Sequence, residues 1–227
     1  MIKPVEILRQ VIRRPNSIGY YLKRVREHVI GIDMIRPVPI SALGIPTEFE
    51  PVEYSMSDLV GLVKIFSKYK ISENDAVIDI GCGKGAVISV LSRFKFGRID
   101  GIEYSKELFQ IAQKNIASLK IRNAIIYNQN AADFSFYERY SYIYMYNPFG
   151  RSVIRCVIDK IERTLEVNNR DIYIVYGNPV YHDEIIKHGV FKNSGKYKSK
   201  MGYSIYTYAN NISNKGAFLD LQVRNCK

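Results

Sequence analysis

The 227-residue chain is 47% hydrophobic and 24% charged, ordinary globular values that exclude wholesale disorder and fibrous architecture. Its length suits one well-buried domain with modest extensions, and no run reaches the ~18–20 apolar residues of a membrane span. The net charge of +11 is uneven: residues 1–40 carry eight Lys/Arg against three acids and residues 186–227 eight against one, leaving 41–185 at −1.

In chain order, Pro4 suits the first turn of a helix that Pro15 stops. A second helix over about 17–29 puts Ile18, Tyr21, Leu22, Val25 and Val29 on one face and Lys23, Arg24 and Arg26 on the other. Such a face is expected to pack on its own domain, with a membrane surface as the alternative. Residues 31–55, with Pro37, Pro39, Pro46 and Pro51, form a non-helical connector to a helix at about 56–69. A strand–helix alternation follows. The strands are 76–80 (AVIDI), 98–103 (RIDGIE), near 124–128 (AIIYN), 142–146 (YIYMY) and 172–176 (IYIVY). Between them, Ala86, Val87, Val90 and Leu91 recur at helical spacing. Ser105 is an N-cap before Leu108, Phe109, Ala112 and Ile116, and a helix over 152–166 aligns Val153, Val157, Ile161 and Leu165. A short helix over 179–188 and two closing strands, 189–193 and 203–209, end the pattern.

Strands separated by helices predict an α/β fold: a doubly wound, seven-strand, mainly parallel sheet. The basic loop SGKYKSKMG between the last two strands fits a hairpin, so the final strand should run antiparallel. The expected organisation is an N-terminal helical extension with its connector (1–55), a core domain (56–210) and a basic tail (211–227). Cys82, Cys156 and Cys226 are too scattered for a disulfide framework. MIKPVEILRQ interrupts its apolar residues with charge, unlike a secretory signal. A cytoplasmic protein is the expectation. The basic ends read either as a compositional bias or as the footprint of an anionic partner, whether nucleic acid, membrane surface or phosphorylated substrate.

The densest chemical signal is Val77-Ile-Asp-Ile-Gly-Cys-Gly-Lys-Gly85. Glycines at 81, 83 and 85 follow a buried strand and precede a helix, where backbone can approach a ligand closely. No Ser/Thr follows Lys84, so this is not a phosphate-binding P-loop, and the third glycine falls one residue early for a dinucleotide fingerprint. Asp79 would be buried at a strand end, a costly place for an acid unless a ligand ammonium or a water pairs with it. Glu103 ends the second strand at the sheet's ligand-binding edge, where a carboxylate accepts both hydroxyls of a ribose; the bland reading is an exposed glutamate after a strand. Asp133, after the third strand, is placed to meet an adenine amino group or simply to cap a turn. His182 and His188 do not share a helical face and lack a cysteine pair, so no metal site is expected.

Asp79-x-Gly81-x-Gly83-x-Gly85, Gly101-Ile-Glu103 and Ala132-Asp133 together resemble the cofactor half of class I S-adenosylmethionine-dependent methyltransferases, over about residues 56–210. The resemblance implies S-adenosyl-L-methionine as cofactor. It places the methionine moiety along Gly81, Cys82, Gly83 and Gly85, the ribose on Glu103, and the adenine beside Tyr104, Ala132 and Asp133. Asp79 would fix the loop and the cofactor's amino group. Tyr144-Met-Tyr-Asn-Pro-Phe-Gly150 is similar to the (Asn/Asp)-Pro-Pro-(Tyr/Phe) motif of amino-group methyltransferases, with a single proline. That likeness implies a catalytic Asn147 that also touches the cofactor, aided by Tyr146 and by Tyr54 from the connector. The Tyr-Asn-Pro-Phe-Gly form, with Pro51-x-x-Tyr54-x-x-x-Asp58, resembles small bacterial methyltransferases of unassigned substrate, and more remotely seven-strand protein lysine methyltransferases. The expected reaction is methyl transfer to an amine of a protein lysine or a small molecule, with glycan and RNA acceptors open. The alternative is a catalytically silent protein of this fold that binds nucleic acid or an anionic surface through its basic ends.

Overall fold

A computed structural model describes residues 18–39, 43–44, 57–198 and 202–209. Tyr54, the expected helix ending at Pro15 and the C-terminal tail lie outside the described residues.

Seven strands form one sheet: β1 (Ala76–Ile80), β2 (Arg98–Glu103), β3 (Ile126–Asn128), β4 (Tyr142–Tyr146), β5 (Ile172–Gly177), β6 (Lys192–Tyr197) and β7 (Tyr203–Tyr208). Their spatial order is β3-β2-β1-β4-β5-β7-β6. The first five are parallel, and β7 is inserted antiparallel between β5 and β6. The central strands are continuous apolar runs because both faces are covered. On one face, Ile78, Ile80, Ile143 and Met145 meet Val153, Val157, Ile161 and Leu165. On the other, Val77, Ile99, Tyr144 and Val175 meet Leu62, Phe66, Ile88, Leu91, Ala112 and Ile116.

The helices that supply these faces are α1 (Ile18–Ile30), α2 (Leu59–Phe66), α3 (Ala86–Leu91), α4 (Lys106–Ser118), α5 (Arg151–Val167) and α6 (His182–Ile186). Ser105 caps α4 as expected, its hydroxyl accepting from the Leu108 N–H at 3.5 Å. Asp58 does the same for α2, accepting from Gly61 N–H at 3.0 Å. The chain runs from β1 outward through β2 to β3 and then crosses back to β4 on the other side of β1. The carboxyl ends of β1 and β4 therefore flank the switch point, where ligands of open α/β sheets bind.

Two expectations need correction. The sixth strand is 192–197, not 189–193. Gly189 (φ +71°) closes the turn after α6 by donating to Ile186 O, and the chain extends only afterwards. Its strand consumes Ser194-Gly195-Lys196-Tyr197, expected as loop, through an irregularity between Asn193 and Gly195. Lys192 and Lys196 on this outer strand are the usual protection of a sheet edge.

The second correction is α1, whose described apolar positions do not form its inward face. Leu22 is 64% and Val29 77% exposed, whereas Glu27 is buried. Glu27 Oε1 accepts from the N–H groups of Met34 (2.9 Å) and Ile35 (3.1 Å), so the inward face is chosen by unsatisfied backbone in the following turn. Among the described residues no helix is long and apolar enough to cross a membrane.

Candidate functional site

The glycine loop leaves β1 with Gly81, Gly83 and Gly85 all in the left-handed region (φ +78°, +54°, +80°), conformations that an L side chain rarely adopts. Gly81 and Cys82 both donate their N–H to Ile102 O at 2.9 Å, which ties the turn to β2. A Cβ on Gly101 would lie 2.7 Å from Cys82 Sγ, so the bare backbone there is what lets the thiol lie against β2.

Two carboxylates meet under this loop. Glu103 is buried, its Oε2 accepting from Gly83 N–H and its Oε1 from Ser105 N–H, both at 2.8 Å. Burial pushes its pKa up, and those backbone donors oppose the shift. Asp79 is buried with Oδ2 lacking any hydrogen-bond partner among the described residues. Desolvation, and then the charge of Glu103, hold its carboxyl well above the usual range. The same burial, followed by Asp79 and Glu103, raises the Cys82 thiol. An orphaned acceptor beside a second carboxylate is costly alone and suits a cationic ligand group. The cofactor implied by the sequence carries an ammonium, so this donor set fits it.

The neighbouring strand end completes the edge. Asn147 follows β4 in the left-handed region (φ +40°), half-buried, with Oδ1 accepting from Tyr176 O–H at 3.3 Å. Pro148 sits so close to Gly81 that a Cβ there would lie 2.5 Å from its own. Tyr146 packs over Gly177, where any side chain would collide with its ring, and edge-on to Tyr203 at 5.8 Å. Tyr203 O–H donates to Asp58 O at 2.9 Å, which brings the start of α2 to the same corner. Past the Asn-Pro turn, Arg151 pairs with Asp183 and Glu184, and Arg155 grips Glu184 at 2.9 Å, fastening the head of α5 to α6.

Of the expected site residues, the structure brings Asp79, Gly81, Cys82, Gly83, Gly85 and Glu103 together, and seats Asn147-Pro148 against Gly81. Tyr104 is 40% exposed beyond Glu103. Asn128 Nδ2 links this corner to β3 by donating to Glu103 O and Tyr104 O, each at 2.9 Å. Ala132 and the exposed Asp133 follow in a turn held by Asn130 Oδ1, which accepts from Ala132 N–H at 2.9 Å. Sequence reasoning missed Asn128, Asn130 and Tyr176. An asparagine ending a strand and another opening a turn were the only available signals. Away from this edge, the Asp159, Glu162 and His188 ligand atoms gather within 4.8 Å, His188 Nδ1 lying 2.8 Å from Glu162 Oε2.

A seven-strand sheet with an antiparallel penultimate strand, and an acid-backed glycine loop at its switch point, defines the class I methyltransferase architecture. Residues 71–210 match the family model described as "Methyltransferase domain", and the chain belongs to that family. Among curated proteins it is similar to Protein-lysine N-methyltransferase EFM4 of Saccharomyces cerevisiae, 35% identical over 69 residues. That match spans 30% of this chain and 30% of the relative. Solved structures with the same fold include a SAM-dependent methyltransferase from Aquifex aeolicus, with TM-score 0.52, 14% identity, and coverage of 66% of this chain and 88% of that one. A putative methyltransferase, yhhF from Escherichia coli, aligns with TM-score 0.52, 22% identity and coverage of 70% and 91%. A mutant of MtNAS in complex with S-adenosylmethionine aligns with TM-score 0.52, 15% identity and coverage of 66% and 61%.

Proposed function

We propose that the chain methylates an amine nitrogen, of a protein lysine or a small molecule, held beside Asn147. The observation that carries this reading is the seating of Pro148 on Gly81, which puts Asn147 against the loop that the cofactor's methionine moiety would line. The partial likeness to a protein-lysine methyltransferase supports an amine over a hydroxyl acceptor.

When bound, the cofactor supplies an electrophilic methyl group and a neutral thioether leaving group, so the chain's task is alignment and water exclusion. Each Glu103 oxygen accepts one N–H and keeps a further lone pair, enough for the two ribose hydroxyls. Asp79 Oδ2 would pair with the ammonium. Tyr104, Ala132 and Asp133 would border the adenine, and the backbone of Gly81, Cys82, Gly83 and Gly85 would line the methionine chain. Asn147 Oδ1 would accept an N–H of the amine and so aim its lone pair, with the Tyr146 ring as a wall.

Calorimetric titration of S-adenosylhomocysteine, with NAD as control, tests the cofactor site. Glu103→Ala should weaken binding by ~1–3 kcal/mol, the range for lost hydrogen bonds to a buried charge. Radiolabelled methyl transfer to lysine peptides and small amines tests the acceptor. Asn147→Ala should keep homocysteine-adduct affinity and lose turnover, and unchanged turnover removes Asn147 from the reaction.

A further inference from the structure

Lys84, inside the glycine loop, is wholly buried and faces neither solvent nor a phosphate. Its Nζ lies 3.0 Å from Asp33 Oδ1 and donates to Arg36 O at 2.6 Å. Its backbone carbonyl is held as well, accepting from Asn115 Nδ2 at 2.9 Å. The same Asn115 binds the backbone of Asp33 twice, Oδ1 accepting its N–H at 2.7 Å and Nδ2 donating to its carbonyl at 3.0 Å. Segment 31–36 is itself closed by Glu27 Oε1, and Ser118 O–H donates to Gly31 O at 2.9 Å. Further on, Val38 and Leu43 pack on Leu108 and Ile111 of α4. Leu108 hydrogen-bonds the hydroxyl of Ser105, whose own N–H binds Glu103.

The loop is thus held from two sides. Glu103 grips Gly83 N–H, and the bracket of Asp33, Arg36 and Asn115 grips both ends of the very next residue. A loop with three left-handed glycines has unusual backbone freedom to lose. Fixing Lys84 before a ligand arrives lowers the ordering cost of binding. We infer that segment 31–36 is a positioning element of the cofactor loop, coupled to it through Lys84, so that docking of the N-terminal extension and binding of cofactor favour one another. The inference rests on the glycine loop being the cofactor site. Linkage makes the coupling reciprocal.

The test uses the full chain and S-adenosylhomocysteine as probe, with calorimetric affinity and hydrogen exchange of residues 31–39 as readouts. In the wild type, ligand should slow exchange at 31–39, a segment that supplies no expected ligand contact. Lys84→Met and Asp33→Asn should each weaken affinity by about tenfold, within the usual span of coupling between sites. The double variant should be scarcely worse than either single one, because the two side chains share one contact. Lys84→Met should also abolish the ligand-dependent protection. A bracket that only stabilises the fold would lower the melting temperature but leave affinity within about twofold and give no ligand-dependent protection, and that result overturns the inference. The wild-type exchange measurement decides even where a variant does not fold. Failure of the wild type to bind the probe overturns the cofactor site too, whereas binding without protection overturns the coupling alone.

Discussion

Gly81→Ala probes the junction between the cofactor loop and the Asn-Pro turn. The new Cβ would lie 2.5 Å from Pro148 Cβ, against an optimum of about 3.5–4.0 Å for carbon pairs, a shortfall of at least ~1 Å. Neither partner yields easily. Gly81 is tied by its N–H to Ile102 O at 2.9 Å, and Pro148 is a rigid ring following Asn147 in the left-handed region. Overpacking of this kind costs about 1–3 kcal/mol. The left-handed backbone (φ +78°) adds about 1–2 kcal/mol for any residue with a Cβ, so the expected loss is about 2–5 kcal/mol.

Gly189→Ala is the matched control, since Gly189 has φ +71° but nothing within 4 Å of a built Cβ. It should carry the backbone cost alone, about 1–2 kcal/mol. Urea denaturation of both variants isolates the contact with Pro148 as their difference. Titration of S-adenosylhomocysteine should find binding weakened in Gly81→Ala and unchanged in Gly189→Ala. Equal destabilisation by the two substitutions would refute the close seating of Pro148 on the loop, and with it the argument that brings Asn147 to the cofactor.

Two further outcomes follow from charge. Burial and Glu103 hold the Asp79 carboxyl above its ordinary pKa, so the folded chain keeps a proton that the unfolded chain has released. Ligand-free stability should therefore fall as pH rises from about 4 through that raised value. Asp79→Asn should flatten this slope and raise the ligand-free melting temperature at neutral pH, while weakening S-adenosylhomocysteine; a lower melting temperature would show that Asp79 is satisfied. Glu184 behaves oppositely, held at about 2 by hydrogen bonds from Arg155 and then Arg151. Its contribution is complete above the unfolded value of about 4.3 and is lost as pH falls toward 2. Glu184→Gln should thus shrink the loss of stability across that window in an acid titration followed by circular dichroism, and an unchanged acid limb would refute the pairing.

The sheet was legible wherever a strand is a bounded apolar run. Residues 76–80 and 142–146 are strands to the residue, because burial on both faces leaves little polar alternation to blur their ends, and the mixed run 98–103 is one too, its acids Asp100 and Glu103 buried. The edge was not legible: β6 is polar and basic, the composition of a loop, and becomes a strand only because β7 offers it a ladder. Hydrophobic periodicity misplaced α1 for a related reason. Its inward face is set by Glu27 meeting two backbone N–H groups of the next turn, a need that residue spacing does not reveal. Lys84 was weighed only as a phosphate ligand, and its real partners, Asp33 and Asn115, lie 51 and 31 positions away.

Where local rules break in this chain, they break mostly at one place. Among the described residues, three that are not glycine adopt positive φ: Lys120, Asn147 and Asn178. Lys120 is ordinary, just past the end of α4, where a left-handed residue closes a helix. Asn147 and Asn178 directly follow β4 and β5, on the same sheet edge where Asp79, its Oδ2 without a partner, lies one residue before the end of β1. Asp79, Asn147 and Asn178 each cost free energy in the ligand-free chain, and strain and an orphaned acceptor persist only where the surroundings over-determine them. Side by side at the carboxyl ends of β1, β4 and β5, they mark the stretch of edge the fold holds ready for ligands. On the proposed function the cofactor's charged end would lie over β1. The acceptor of the proposed reaction would lie over β4 and β5, where Asn147 and the hydroxyl of Tyr176 already meet.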